Sequence, residues 1–258
     1  MNHVHDSAAA GFQSAADAYQ RGRPGYSPKV SHWLAAELGV CSASKVVDLG
    51  AGTGKFTKLL AELSNDVTAV EPVEAMRRQL KQTLPSVQTI QGSATNIPLS
   101  DSSVDFVFCA QAFHWFANAQ SLAEISRVLK PGGTLGLVWN TRDETVDWVA
   151  QLTRIITPYE GDAPRYYKGT WKETFPADGF GPLSETSFTH AHTGSAEDVI
   201  VNRFMSVSFI AAQDDETRSK IRQEVLETIR KSDALRDREE VTLPYITQCF
   251  FTKNTREV

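Results

Sequence analysis

The chain has 258 residues, 41% of them hydrophobic, enough to bury one sizeable core, and the expectation is one domain over 1–258. Its formal net charge is −5 with no run of lysines or arginines, which argues against a sequence-independent nucleic-acid surface and against docking on anionic lipid. Cys41, Cys109 and Cys249 are scattered without Cys-x-x-Cys spacing, and neither a signal peptide nor a membrane span is visible, so a cytoplasmic monomer in a reducing compartment is expected.

Residues Ser7 to Gln20 read as a short helix with Phe12, Ala15, Ala16 and Tyr19 on one face. Two glycines and two prolines between Arg21 and Pro28 then enforce a non-helical crossing. A second helix, Lys29 to Leu38, carries Val30, Trp33, Leu34 and Leu38 at helical spacing, and residues 1–40 form an N-terminal cap.

From residue 41 the pattern becomes strand, helix, strand. Val46, Val47 and Leu49 make a buried strand; Gly50, Gly52 and Gly54 turn the chain into a helix carrying Lys58, Leu59 and Leu60. Strand Val67–Val70, helix Val73–Thr83, strand Val87–Ile90, strand Val104–Ala110, helix Gln120–Leu129, a turn at Lys130 to Gly133 and strand Thr134–Trp139 follow. Strands separated by helices predict an open parallel sheet covered on both faces, with 41–142 as its core.

Beyond Asn140 the rhythm changes, and residues 143–239 are assigned to substrate and lid. Asp143–Thr157 reads as helix, 158–181 as irregular, Leu183–Thr193 as a strand, and Ala196–Phe204 and Asp215–Lys231 as helices. Glu240–Thr252 is rich in β-branched and aromatic residues and reads as the last strand, with 240–258 as last strand and tail. The expected class is α/β: a doubly wound, mostly parallel, seven-stranded sheet with a helical lid of about 45 residues inserted before the last strand.

Side-chain-free loops between a strand and a helix N-terminus are ligand sites, and spacing discriminates among ligands. A phosphate-binding P-loop needs four residues between its glycines and then Gly-Lys-Ser/Thr, whereas Phe56 follows Lys55 here. A dinucleotide fingerprint places its third glycine at position 55, which is lysine. Asp48 closing the strand suits a cationic ligand and repels a pyrophosphate, though it also has the position to cap the following helix. Glu71, followed by Pro72, ends the second strand about 20 residues past the loop, where an acid accepts both hydroxyls of a ribose.

The pattern Asp48-x-Gly50-x-Gly52-x-Gly54 resembles the first motif of class I S-adenosylmethionine-dependent methyltransferases. That resemblance implies a Rossmann-like fold, S-adenosylmethionine as cofactor, a loop packed on its methionine half, and Asp48 near its ammonium. Many members have aspartate where Ser93 stands, so the adenine contact here is expected from backbone groups or a hydroxyl around Ser93 and Ala94. The N-terminal Ala-Asp-Ala-Tyr19-Gln-Arg-Gly-Arg23-Pro-Gly-Tyr is similar to trans-aconitate-methyltransferase-like proteins, which implies that Tyr19 and Arg23 reach the cofactor carboxylate. The likeness runs from Phe12 to Asp143; Tyr159 to Ser232 matches nothing in it, and substrate choice is expected there.

Ala110-Gln111-Ala112-Phe113-His114-Trp115-Phe116 leaves a strand at the carboxyl edge of the sheet, where open α/β folds bind ligands. Ala110 and Gln111 are expected at the cofactor, Phe113 and Phe116 in the core, and His114 and Trp115 toward cofactor or substrate, where aromatic faces attract a sulfonium. Trp139 and Arg142 end the fifth strand; Arg142 is a candidate for bidentate binding of a substrate carboxylate. No metal site is expected, since the pairs His3/His5 and His190/His192 lack acidic or cysteine partners.

Together these features lead to a small-molecule methyltransferase acting on an oxygen of an organic acid. A carboxylate acceptor needs no base, and for a hydroxyl or amine acceptor His114 is the nearest candidate. The competing readings are a non-catalytic cofactor-binding or interaction protein with the same fold, and a nicotinamide-dependent reductase. Lys55 in the fingerprint and the lack of a Tyr-x-x-x-Lys pair weigh against the reductase.

Overall fold

The computed structural model describes residues 23–256. The expected helix Ser7–Gln20, with Tyr19, and the pair His3/His5 lie outside the described residues.

Helix α1 (Pro28–His32) starts on a proline, which has no N–H to leave unpaired, and the Ser27 hydroxyl accepts from the Lys29 N–H at 3.3 Å. The expected helix to Leu38 widens at Trp33 into a π-helical turn, Trp33–Glu37, which sinks Trp33 and Leu34 completely. Then come β1 (Lys45–Leu49), α2 (Lys55–Ala61), β2 (Asp66–Val70), α3 (Glu74–Thr83), β3 (Gln88–Ile90), β4 (Val104–Ala110), α4 (Ala119–Val128) and β5 (Leu129–Arg142). The strands pair in the order β3-β2-β1-β4-β5-β7-β6, where β6 is Ser184–Gly194 and β7 is Val241–Lys253. β1 to β5 are parallel, and β7 runs antiparallel to both β5 and β6.

Strand burial follows from this order. β1 and β2 beyond their exposed first residues, and the Gly133–Asn140 part of β5, are continuously buried because both faces are covered, whereas β6 at the edge shows no fully buried residue. Alternate residues of β1 and β4 feed opposite faces: Val47, Leu49, Val107 and Cys109 pack with Leu122, Ile125 and Val128 of α4, while Val46, Phe106 and Phe108 pack with Trp33, Phe56 and Leu60. Lys130 to Gly133, expected as a free turn, are held in line with β5 by Asn254, whose side-chain amide donates to the Leu129 and Lys130 carbonyls.

Residues 148–163 and 199–235 build a second core with the first residues of β7. Helix α5 (Asp147–Ile156) begins four residues later than expected, because the Asp143 carboxylate accepts from the backbone and hydroxyl of Thr145 and closes a turn there. Its Val149 and Leu152 pack against Val199 and Ile200 of a π-helical turn, Phe204 of α6 (Asn202–Met205), Ile210 of α7 (Ser208–Ala211), and Ile221 and Val225 of α8 (Asp215–Lys231). Leu243 and Tyr245 of β7 belong to the same cluster, so the insertion is fastened to the sheet by the half of β7 nearest the carboxyl end of β5. The irregular stretch holds short 3-10 turns and sinks Trp171 against Trp139, with ring centres 4.6 Å apart. Among the described residues no helix is long and apolar enough to cross a membrane.

Candidate active site

A cleft opens at the carboxyl ends of β1, β2 and β4, the edge where open α/β sheets bind ligands. Arg23, Asp48, Gly50, Gly52, Glu71, Pro72, Ser93, Ala94, Ala110 and Gln111 all border it. Gly54 does not, and its reason for being glycine is internal: at φ 88° a β-carbon would lie 2.9 Å from Leu80 Cγ. Gly50 is similar, since a β-carbon there would meet that of Ala112 at 2.7 Å. Of the two reasons the sequence offers for these glycines, the turn holds for all three, at φ 74°, 58° and 88°, while the expectation that each clears space for a ligand is corrected. Only Gly52, with Met76 Sδ as its nearest neighbour at 3.7 Å, has open room.

Two buried acids stand at the floor. Glu71 accepts from the Gly52 N–H at 2.8 Å and the Val73 N–H at 2.9 Å, which locks the glycine loop to the end of β2 and leaves each carboxylate oxygen a second lone pair. Asp48 accepts from the Thr57 hydroxyl at 2.6 Å through one oxygen; the other, Oδ1, is buried without a hydrogen-bond partner among the described residues. Burial, and after it the charge of Glu71, pushes the Asp48 carboxyl up to about 7. An orphaned buried carboxylate oxygen beside an open glycine is a fit for a cationic group of a ligand.

The chain over this cleft is strapped down. Lys55 Nζ donates to the Arg23 carbonyl at 2.6 Å, Asn140 Nδ2 donates to the Gly25 carbonyl at 2.8 Å, and Asn140 Oδ1 accepts from Thr247 at 2.6 Å. Phe116, expected in the core, borders the cleft, whereas Phe113 is fully buried. Gln111 holds φ 61°, a left-handed conformation that costs a non-glycine residue about 1–2 kcal/mol, at the wall shared with the next cavity.

That second cavity shares Arg23, Gln111, Trp115, Asn140 and Arg203 with the cleft and adds His114, Trp139, Arg142 and Arg165. Its character is cationic. Arg142 donates to Thr153 Oγ1 at 3.2 Å and lies 4.8 Å over the Phe204 ring; its nearest carboxylate, Glu144, is 3.9 Å away. Arg165 lies 5.1 Å over the Phe209 ring and 3.8 Å from Glu160, which Lys168 also engages at 2.8 Å. Arg203 donates to Tyr245 Oη at 3.1 Å while its Nη1 and the Nε of Arg165 are buried without hydrogen-bond partners among the described residues. Burial and the charge of Arg203 hold Arg142 down at about 9 and Arg165 below its usual range.

Trp139 borders this cavity but is only 1% exposed, and its indole donates to His114 Nδ1 at 3.0 Å. Arg165, Arg203 and Tyr245 are site residues that sequence reasoning missed. The arginines sit in a stretch without motif or strict periodicity, and Tyr245 reads as a strand aromatic; an arginine inside an otherwise apolar run, as in Val-Ile-Val-Asn-Arg203-Phe-Met, was the one available signal.

Residues 47–137 match the family model described as "Methyltransferase domain". An uncharacterized methyltransferase-like protein of Schizosaccharomyces pombe is 38% identical over 242 residues, covering 93% of each chain. An uncharacterized methyltransferase of Mycobacterium tuberculosis is 40% identical over 238 residues, covering 92% of this chain and 93% of its own. Among solved structures, a putative type II methyltransferase from Anaeromyxobacter dehalogenans superposes with a TM-score of 0.67 at 24% identity over 92% of this chain and 99% of that one, a likeness of fold.

The depressed Arg142 has a consequence for stability. Its charged form is disfavoured by the fold, so the penalty is fully present below about pH 9 and fades as pH rises above it. Arg142→Met should melt at or above the parent protein at pH 7, with the gap narrowing at pH 10. A melting point lower by more than about 4 °C, roughly 1 kcal/mol or more for a chain of this size, would show that the bonds to Thr153 and Phe204 outweigh the burial.

Proposed function

The chain belongs to the class I S-adenosylmethionine-dependent methyltransferases, and from that premise we propose that it methylates an oxygen of a small organic acid carrying more than one anionic group. The observation that carries this reading is the second cavity, where Arg142, Arg165 and Arg203 are gathered with too few carboxylates to balance them, through a wall shared with the cofactor cleft. Buried guanidiniums without matched acids are costly, and an anionic guest that brings its own charge and fork-shaped acceptors offsets that cost.

The cofactor supplies a methyl group already activated on a sulfonium. In this reading Asp48 Oδ1 takes its ammonium, Glu71 its ribose hydroxyls, and Arg23 with the strap around Gly25 its carboxylate end. Phe116 and Trp115 exclude water and give aromatic faces to a positive charge. The protein's remaining task is proximity and alignment, because displacement at a methyl needs the acceptor oxygen in line. A carboxylate acceptor is ionised at neutral pH and needs no base. Residues 195–240 between β6 and β7 act as the roof, holding Arg203 and the rings beneath Arg142 and Arg165. A cytoplasmic setting fits the free cysteines Cys41, Cys109 and Cys249.

Incubation with labelled S-adenosylmethionine and a panel of mono-, di- and tricarboxylic acids, phenols and amines tests the assignment. Methyl esters of the polyacids should form at rates at least tenfold above those of the monoacids. Label entering phenols or amines alone would overturn it.

Because Asp48 sits at about 7 and an adjoining ammonium favours its ionised form, binding below pH 7 expels a proton. Affinity for S-adenosylhomocysteine should therefore climb between pH 5.5 and pH 8, and Asp48→Asn should flatten that dependence. Equal slopes in the two proteins by calorimetry would remove Asp48 from this role.

A further inference from the structure

His114 lies in the 3-10 turn Phe113–Trp115 that follows β4, on the wall of the arginine cavity. Its Nδ1 takes the Trp139 indole N–H at 3.0 Å. An indole nitrogen only donates, so Nδ1 must be bare, and the neutral imidazole then carries its proton on Nε2. Trp139 has no freedom to release it: the indole is 1% exposed, with Trp171 at 4.6 Å, Tyr166 at 4.9 Å and Phe250 at 5.9 Å between ring centres.

The charged and titratable groups lining the cavity around His114 are Arg23, Arg142, Arg165, Arg203, Glu144, Tyr166 and Tyr167. Cations dominate that surrounding. Protonation of Nδ1 would also set an N–H against the indole N–H. Burial, then the charges of Arg165 and Arg23, push the His114 pKa down to about 3. The sequence expectation of a general base fails on the same geometry, since the one nitrogen lone pair that could take a proton is already engaged by Trp139.

We propose that His114 is a neutral hydrogen-bond donor to the methyl-accepting carboxylate, and that Trp139 is the positioning residue that fixes the donating tautomer. This deepens the reading of the site as an organic-acid methyltransferase and rests on it. The chemistry favours such a division. A carboxylate gripped by a guanidinium gives up nucleophilicity, whereas one oriented by a neutral N–H keeps most of its charge available for attack on the methyl. The arginines then take the non-reacting anionic groups, and His114 selects which carboxylate of a polyacid faces the cofactor. No proton moves in the step: the carboxylate oxygen gains a bond to the methyl carbon as the carbon–sulfur bond breaks, and the electron pair leaves with sulfur.

The test has a part that needs no acceptor. Nitrogen-15 spectra of histidine-labelled protein, with the His114 signal assigned by its loss in His114→Gln, should show an Nε2–H tautomer unchanged from pH 5 to pH 9. A protonated Nδ1, or titration between pH 5.5 and 7.5, overturns the proposal. With a polyacid substrate, His114→Gln, which keeps a donor at the same reach, should hold kcat/KM within about threefold, and His114→Phe should lose about 10- to 100-fold, the worth of a hydrogen bond to a charged acceptor. Equal losses in both variants, or an acid limb near pH 6.5 that His114→Gln abolishes, would make His114 structural or a base and sink the inference. If the tautomer is as expected but no acid is methylated, the organic-acid reading fails, and the donor role fails with it while the Trp139 lock stands.

Discussion

Two deposits of buried charge, opposite in sign, are held apart along one edge of the sheet, and the arrangement of the site depends on that separation. Asp48 and Glu71 end β1 and β2 beneath the glycine loop; Arg142, Arg165 and Arg203 gather beyond the end of β5. Gln111, Trp115 and Asn140 stand at the wall between the two, and of the cations Arg23 and Arg203 reach both cavities. The raised Asp48 and the depressed Arg142 are the signatures of that isolation. A site strained in both directions is matched by a ligand pair that is cationic at one end and anionic at the other.

The insertion between β6 and β7 is what makes the cationic half possible. An arginine held only by solvent would be screened and mobile, but Phe204 and Phe209 come from a packed cluster with α5, α8 and β7 and sit directly against the guanidiniums of Arg142 and Arg165. Tyr245 belongs to that cluster as well and accepts from Arg203, so packing of the insertion and orientation of the cations are one and the same property. The stability that the apolar cluster contributes is partly spent on keeping three cations dry.

Much of the fold is legible in the sequence because it depends on short-range rules. Alternation of strand and helix signals over residues 45–142 specifies a parallel sheet, and helix Asp215–Lys231 has the bounds the sequence suggests, with an acidic first turn and a basic last one. The spacing Asp48, Gly50, Gly52 marks the cleft for the same reason, since a turn of that kind is written in consecutive residues. What escaped is set by tertiary proximity. That Gly54 answers to Leu80, that Phe116 faces a cleft, and that Arg165 and Arg203 converge from two separate segments are all facts about partners distant in the chain. His114 shows the limit most clearly: its residue type suggested a base, and only the indole of Trp139, 25 positions away, decides its tautomer.

The most direct measurement is the melting temperature of the cofactor-free protein at pH 7 and constant ionic strength, titrated with a dicarboxylate or with its monocarboxylate counterpart. If the arginine cavity is an anion site, the diacid should raise the midpoint by about 5–10 °C at a hundred times its dissociation constant, the monoacid should do far less, and Arg165→Met should erase the difference. Equal, negligible shifts for both acids in the parent protein would contradict the account.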